Sequence, residues 1–137
     1  MASKRMFCTA LVNSSTFLKM PLSSQALYFH LGLHADDDGI VDAYSITRMV
    51  GSSEDDFRIL IAKEYIVPLN DEMLIWIRHF LVNNTISPSK VISSIYRHIL
   101  LAQIPDAPVV YRDKDKQEEK GMPLEMKNTM YRTLGRT

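Results

Sequence analysis

The sequence holds a single cysteine, Cys8, so no intrachain disulfide can form and no zinc site can be built on paired thiolates. One lone thiol fits a reducing cytosol. Five glycines in 137 residues leave little material for phosphate-cradling loops. No glycine-rich nucleotide motif, nucleophile elbow or HExxH pair occurs. No apolar run approaches the roughly 18–20 residues of a membrane span. The opening MASKRMFCTALVNSST lacks the apolar centre of a secretory signal. Charge of either sign is not in excess, because Lys plus Arg and Asp plus Glu number 16 each. Any contact with nucleic acid must then come from local basic patches, not from a global field.

What is present is enough apolar material, 46% of residues, to bury the core of one domain. The organising stretch is Phe17 to Val41, FLKMPLSSQALYFHLGLHADDDGIV. Ser23 is placed as the N-cap of a helix, with Leu22 and Leu27 as a hydrophobic staple. Leu22, Ala26, Phe29 and Leu33 recur at helical spacing with Leu27 and Leu31 alongside, which predicts one buried face. Asp38-Gly39 ends the element in a turn. The same turn superficially resembles a calcium loop, but from His34 the twelfth position is Ser45, where a bidentate Glu is required.

The remaining signals are local and ordered. Ile40 and Val41 read as a short strand. Asp42 to Val50 reads as a helix with Ile46, Met49 and Val50 inward and Gly51 as its left-handed stop. Ser53 caps a further helix, with Asp56 at the third position and three acids at the positive end of its dipole. Phe57, Leu60 and Ile61 form its core stripe, with Tyr65 as an extension. Tyr65 to Leu69 and Met73 to Phe80 read as a hairpin turned by Asn70-Asp71-Glu72, with Pro68 marking an edge strand. On the second arm Leu74, Trp76 and Arg78 share one face, and Met73, Ile75 and Ile77 the other. The expected class is α+β, mainly α, in the order of a winged helix-turn-helix domain with an additional C-terminal helix.

The string MPLSSQALYFHL followed by ADDDG resembles the N-terminal domain of phage replisome organisers, the DnaD-like replication initiation proteins of phages of Gram-positive bacteria. The opening Met-Ala-x-Lys-Arg-Met-Phe and the run SEDDFRILIAK (Ser53 to Lys63) are similar too. The likeness covers roughly residues 1 to 80. It implies a winged helix that binds origin DNA without catalysis, in the cytoplasm of a bacterial host. Full replisome organisers continue into a second domain that engages helicase-loading partners. The chain is therefore expected to be either such an N-terminal domain or a short stand-alone relative.

Beyond the hairpin, Asn83 to Ile86 reads as a linker. Ser87 as cap and Pro88 at the first helical position start a long helix. Val91, Ile92, Ile95, Tyr96, Ile99 and Leu100 form its stripe, which either packs back on the domain or serves self-association. Pro105 and Pro108 end it. RDKDKQEEK (Arg112 to Lys120) reads as a solvated charge run, followed by a tail with Lys127, Arg132 and Arg136 and a short amphipathic helix over Met122 to Leu134. The expected organisation is a winged-helix domain over 1–82, linker and extra helix over 83–104, and a polar tail over 105–137.

Four histidines, His30, His34, His79 and His98, have no zinc spacing, and no catalytic, metal or cofactor set is assigned. The expected DNA-contact set is Lys4, Arg5, Lys19, Arg48, Arg58 and Lys63, chosen by charge and element. A recognition helix enters the groove by its N-terminal end, and here that end is Ser53-Glu54-Asp55-Asp56, so DNA is expected to be read through other surfaces or mainly through phosphates. The partners expected are double-stranded DNA, single-stranded DNA as a further option, a second copy of the chain through Val91, Ile92, Ile95, Tyr96 and Ile99, and a host replication or defence protein. Two other classes fit the same residues. One is a small phage module that inhibits a host or defence protein in an anti-CRISPR-like way, using Asp36 to Asp38 and Glu54 to Asp56 as an acidic surface. The other is a winged-helix transcriptional repressor.

Overall fold

The computed structural model describes residues 3–113. Most of the 112–120 charge run, the helix expected over Met122 to Leu134 and the basic residues Lys127, Arg132 and Arg136 lie outside the described residues. The described part is an α+β fold of seven helical segments and one three-stranded antiparallel sheet.

Two single turns, α1 (Thr9–Val12) and α2 (Ser15–Leu18), lead into α3 (Leu22–His34). Strand β1 (Ile40–Asp42), helices α4 (Ala43–Val50) and α5 (Glu54–Ala62), and the hairpin β2 (Ile66–Pro68) and β3 (Leu74–Ile77) follow. A turn of helix α6 (Phe80–Asn83) and helix α7 (Arg97–Gln103) complete it. The sheet order is β1-β3-β2, with Val41 opposite Ile75 and Val67 opposite Trp76. Pro68, which has no N–H to donate, does stand on an edge strand.

Local chemistry explains the middle of the chain. Asp42 is the N-cap of α4 and accepts from the Tyr44 N–H at 3.1 Å. Gly51, at φ +71°, closes α4 in the left-handed conformation. Ser53 and Asp56 form a full capping box on α5. Tyr65 does not extend α5. Glu64 takes φ +63° and turns the chain, so Tyr65 enters the core just before β2. Asn70 Oδ1 accepts from the N–H groups of Glu72 and Leu74 and shapes the hairpin turn.

Strand β3 is buried on both faces, which divides the core in two. Ile75 and Ile77 join Phe17, Leu27, Tyr28, Leu31, Leu60 and Ile66 on the helical side. Leu74 and Trp76 point the other way and meet Ile40, Leu69, Leu100, Leu101 and Ala107. The alternation expected along this strand is therefore present, but α7 and the residues after it cover the face that alternation alone would leave to solvent.

Several expectations fail. Ser23 is not the cap of α3; the helix begins at Leu22 after Pro21, and the Ser23 hydroxyl donates to Asp56 Oδ1 at 2.5 Å. The buried face of α3 is Ser24, Leu27, Tyr28, Leu31 and Gly32, not Leu22, Ala26, Phe29 and Leu33. Leu22 is 80% exposed, so it staples nothing, and Leu33 is 46% exposed. Met49 also faces solvent, while Val50 packs partly on the core.

Asn83 to Ile86 is not a free linker. Asn83 and Asn84 are buried, and their Oδ1 atoms accept from the N–H groups of Cys8 and Met6, clasping the N-terminal arm. The long helix from Ser87 does not form. Residues 91–94 have no regular secondary structure, and helix begins only at Arg97. The expected self-association stripe is thereby dispersed. Val91 is buried, Ile99 packs on the second core, and Ile92 and Ile95 lie in the open.

Candidate nucleic-acid interface

Helices α4 and α5 meet at the Gly51–Ser53 turn and leave an open groove of about 540 Å³ between them. Tyr44, Thr47 and Arg48 line it from α4, Glu54, Phe57 and Arg58 from α5, and Ser53 from the α5 N-cap. Tyr44, Thr47 and Arg48 share one outward face of α4 because they are three and four residues apart. The hairpin contributes Met73 to the groove. The Arg48 guanidinium lies 5.8 Å from the Tyr44 ring centroid. Arg58 pairs with Glu54 at 3.1 Å and with Asp55 at 3.6 Å, all three side chains well exposed. Exposed pairs of this kind contribute about 0–1 kcal/mol, so the Arg58 guanidinium can exchange its carboxylates for another anion at little cost.

The six sequence-selected cations therefore separate. Arg48 and Arg58 share the groove. Lys63 is exposed at the C-cap of α5, and Lys19 at the C-cap of α2. Lys4 lines a second cleft, of about 420 Å³, with Asn84, Ser87, Lys90 and Ile92. Arg5 is the exception. Its side chain is 3% exposed, and its Nη2 donates to Asp37 Oδ1 at 3.0 Å and to the Ala35 carbonyl at 2.8 Å. The guanidinium also lies 5.1 Å from the Phe80 ring centroid. Arg5 serves the fold and does not reach solvent in this conformation. The groove-lining Tyr44 and Phe57 were missed by selecting on charge; a signal existed in Tyr44, an aromatic with no place in the α4 core stripe.

Four of the six acids in the two triplets are committed within the fold. Asp38 has no exposed side-chain area and receives Arg97 Nε and Nη2 at 2.8 and 2.7 Å, together with the Ser94 N–H at 2.9 Å. Asp37 Oδ2 accepts from the Ile92 N–H at 2.9 Å. Asp36 Oδ1 accepts from the N–H groups of Asp38 and Ile40. Burial raises the Asp36 pKa above the ordinary carboxylate value. Asp56 is held below it, chiefly by the Ser23 hydroxyl. Of the six acids, Glu54 and Asp55 present open carboxylates, and both lie beside Arg58.

Compared with models of protein families, with curated proteins and with solved structures, the chain matches none. No helix among the described residues is long and apolar enough to cross a membrane.

Proposed function

We propose that this chain is a winged-helix DNA-binding protein of replication initiation, of the phage replisome-organiser type, acting without catalysis. The observation that carries the reading is the order α3-β1-α4-α5-β2-β3 with sheet order β1-β3-β2, which sets the α4–α5 pair and the hairpin around one open groove. Helix-turn-helix proteins dock that pair on duplex DNA. The two cations on the groove are Arg48 and Arg58, and the aromatic Tyr44 and Phe57 line it with them. Glu54 and Asp55 at the start of α5, and Asp71 and Glu72 at the hairpin tip, oppose deep insertion into a polyanion. Binding is then phosphate-led and shallow, with Arg48 and Arg58 as positioning contacts and the exposed Lys63 at the C-cap of α5 as a further cation.

The test is a salt titration of binding to duplex and single-stranded DNA, tiled around the protein's own gene. The expected result is saturable binding to duplex DNA that weakens steeply with salt. Arg48→Ala and Arg58→Ala should each reduce the log–log slope by about 1. A folded protein that binds neither form at low salt, or binding unchanged by both substitutions, overturns the reading.

A further inference from the structure

Helix α3 is the longest described element, and its sequence LSSQALYFHLGLH contains no Asp, Glu, Lys or Arg. One side of it is buried, and the other carries Leu22, Ala26, Phe29 and Leu33 into solvent. Leu18, 55% exposed, extends this ridge at the end of α2, where the Gln25 side chain reaches the Leu18 and Met20 carbonyls. Phe29 is held in place from below by edge contacts with Phe7 and Phe17, at ring-centroid distances of 5.0 and 5.7 Å. The ridge is thus an ordered surface. It exposes on the order of 400 Å² of apolar area, the size of the largest apolar patch on a typical monomer, which is often functional.

We propose that this ridge is the face on which two copies of the chain associate, with their α3 helices antiparallel about a two-fold axis. The spacing of the ridge carries the choice of occupant. Its steps are four, three and four residues, the spacing of a coiled-coil seam, and they read the same in both directions. An axis midway between Leu27 and Tyr28 therefore sets Leu22 against Leu33 of the second copy, and Ala26 against Phe29 of the second copy. Each large ring then meets a small side chain, twice over. This is the self-complementarity that a two-fold interface requires. A charged partner would find no opposite charge along the helix to pair with. The antiparallel arrangement also sets the two helix dipoles head to tail, and brings the exposed Lys19 of each copy toward the end of the other helix, where Asp36 follows. The ridge from two copies buries on the order of 800 Å², below the range of about 1,200–2,000 Å² of stable complexes, so the dimer is a weak one. This inference does not rest on the DNA reading and involves none of the groove residues.

Sedimentation velocity of the full chain without DNA, from about 5 µM to 1 mM, reads the association directly. The expected result is a reversible monomer–dimer equilibrium within that range. Leu22→Lys and Leu33→Glu each abolish it while leaving the circular dichroism melt in place, because both positions are exposed. The double variant L22K/L33E restores the dimer, since the antiparallel register sets the two new charges against each other twice. A wild type that stays monomeric at 1 mM, a dimer indifferent to either single substitution, or a double variant that remains monomeric overturns the proposal.

Discussion

Asp36-Asp37-Asp38 and Glu54-Asp55-Asp56 are both runs of three acids beside a helix end, yet they do opposite work. The first follows the C-terminus of α3, the negative end of a helix dipole, where carboxylates are disfavoured. Arg5, Arg97 and the N–H groups of Ile92 and Ser94 compensate for that position. The triplet thereby fastens the N-terminal arm and the segment after the hairpin to one turn. The second run opens α5, where the dipole favours it, and its long-range side-chain tie is the Ser23 hydroxyl on Asp56. Asp56 closes the capping box and accepts from Ser23, and the other two carboxylates remain at the surface. The same three-acid pattern is a tertiary hub in one place and local helix chemistry in the other. What separates them is whether cations and free N–H groups converge on the run.

The largest break in this comparison is Asp38→Ala. It removes one half of a buried, bidentate ion pair, a class of change that costs about 3–5 kcal/mol. Urea unfolding should show that loss, together with opening of the second core around Trp76, readable as a red-shifted tryptophan emission. Arg5→Ala, in the N-terminal arm that the hub fastens, should cost about 2–3 kcal/mol through its lost charge-assisted hydrogen bonds. It should leave the salt slope of any DNA binding unchanged, because the guanidinium is buried. In the second triplet the effects are smaller. Ser53→Ala should cost about 1 kcal/mol by loss of the cap. Asp55→Ala should cost less than about 0.5 kcal/mol in stability. On the DNA reading it also tightens binding, because a negative charge beside Arg58 is removed. An Asp55→Ala change as damaging as Asp38→Ala would erase the distinction between the two runs.

The difference between hub and cap is also the difference between what sequence makes legible and what it hides. The α4 and α5 boundaries, Gly51, the Ser53–Asp56 box and the Asn70 turn all act within four residues, and each is readable in the chain. The α3 face was misread because Leu22, Ala26, Leu27, Tyr28, Phe29, Leu31 and Leu33 make the helix apolar on nearly all sides. Periodicity then cannot say which side the sheet covers. The segment from Ser87 has a helix start signal and a clean apolar stripe, but the carboxylates of Asp37 and Asp38 take the N–H groups of Ile92 and Ser94 that a helix there would use. Those partners lie 55 and 56 residues away, beyond the reach of any local pattern. The candidate groove was legible as far as Arg48 and Arg58. Arg5 was not, because its exposure depends on a turn 32 residues further along.

The smallest effect is a difference of sign with pH. Asp56 has its pKa lowered from the ordinary 3.8, so the unfolded chain binds its proton more readily. Its contribution is full above that value and is lost as pH falls through the lowered one. Asp36 has its pKa raised from the same 3.8, so the folded chain binds the proton more readily. Its contribution is greatest below the ordinary value and declines as pH rises through the raised one. Asp36→Asn keeps an oxygen for the Asp38 and Ile40 N–H groups and removes the cost of a buried charge. It should therefore raise stability at pH 7 slightly, on the order of 0.5 kcal/mol, with no gain at pH 3. Asp56→Asn should do the reverse, costing stability at pH 7 and little at the acid end. Urea midpoints for both variants between pH 3 and pH 7 give the two slopes. Parallel slopes would mean that the turn does not desolvate Asp36, and the hub would then be held by Asp37 and Asp38 alone.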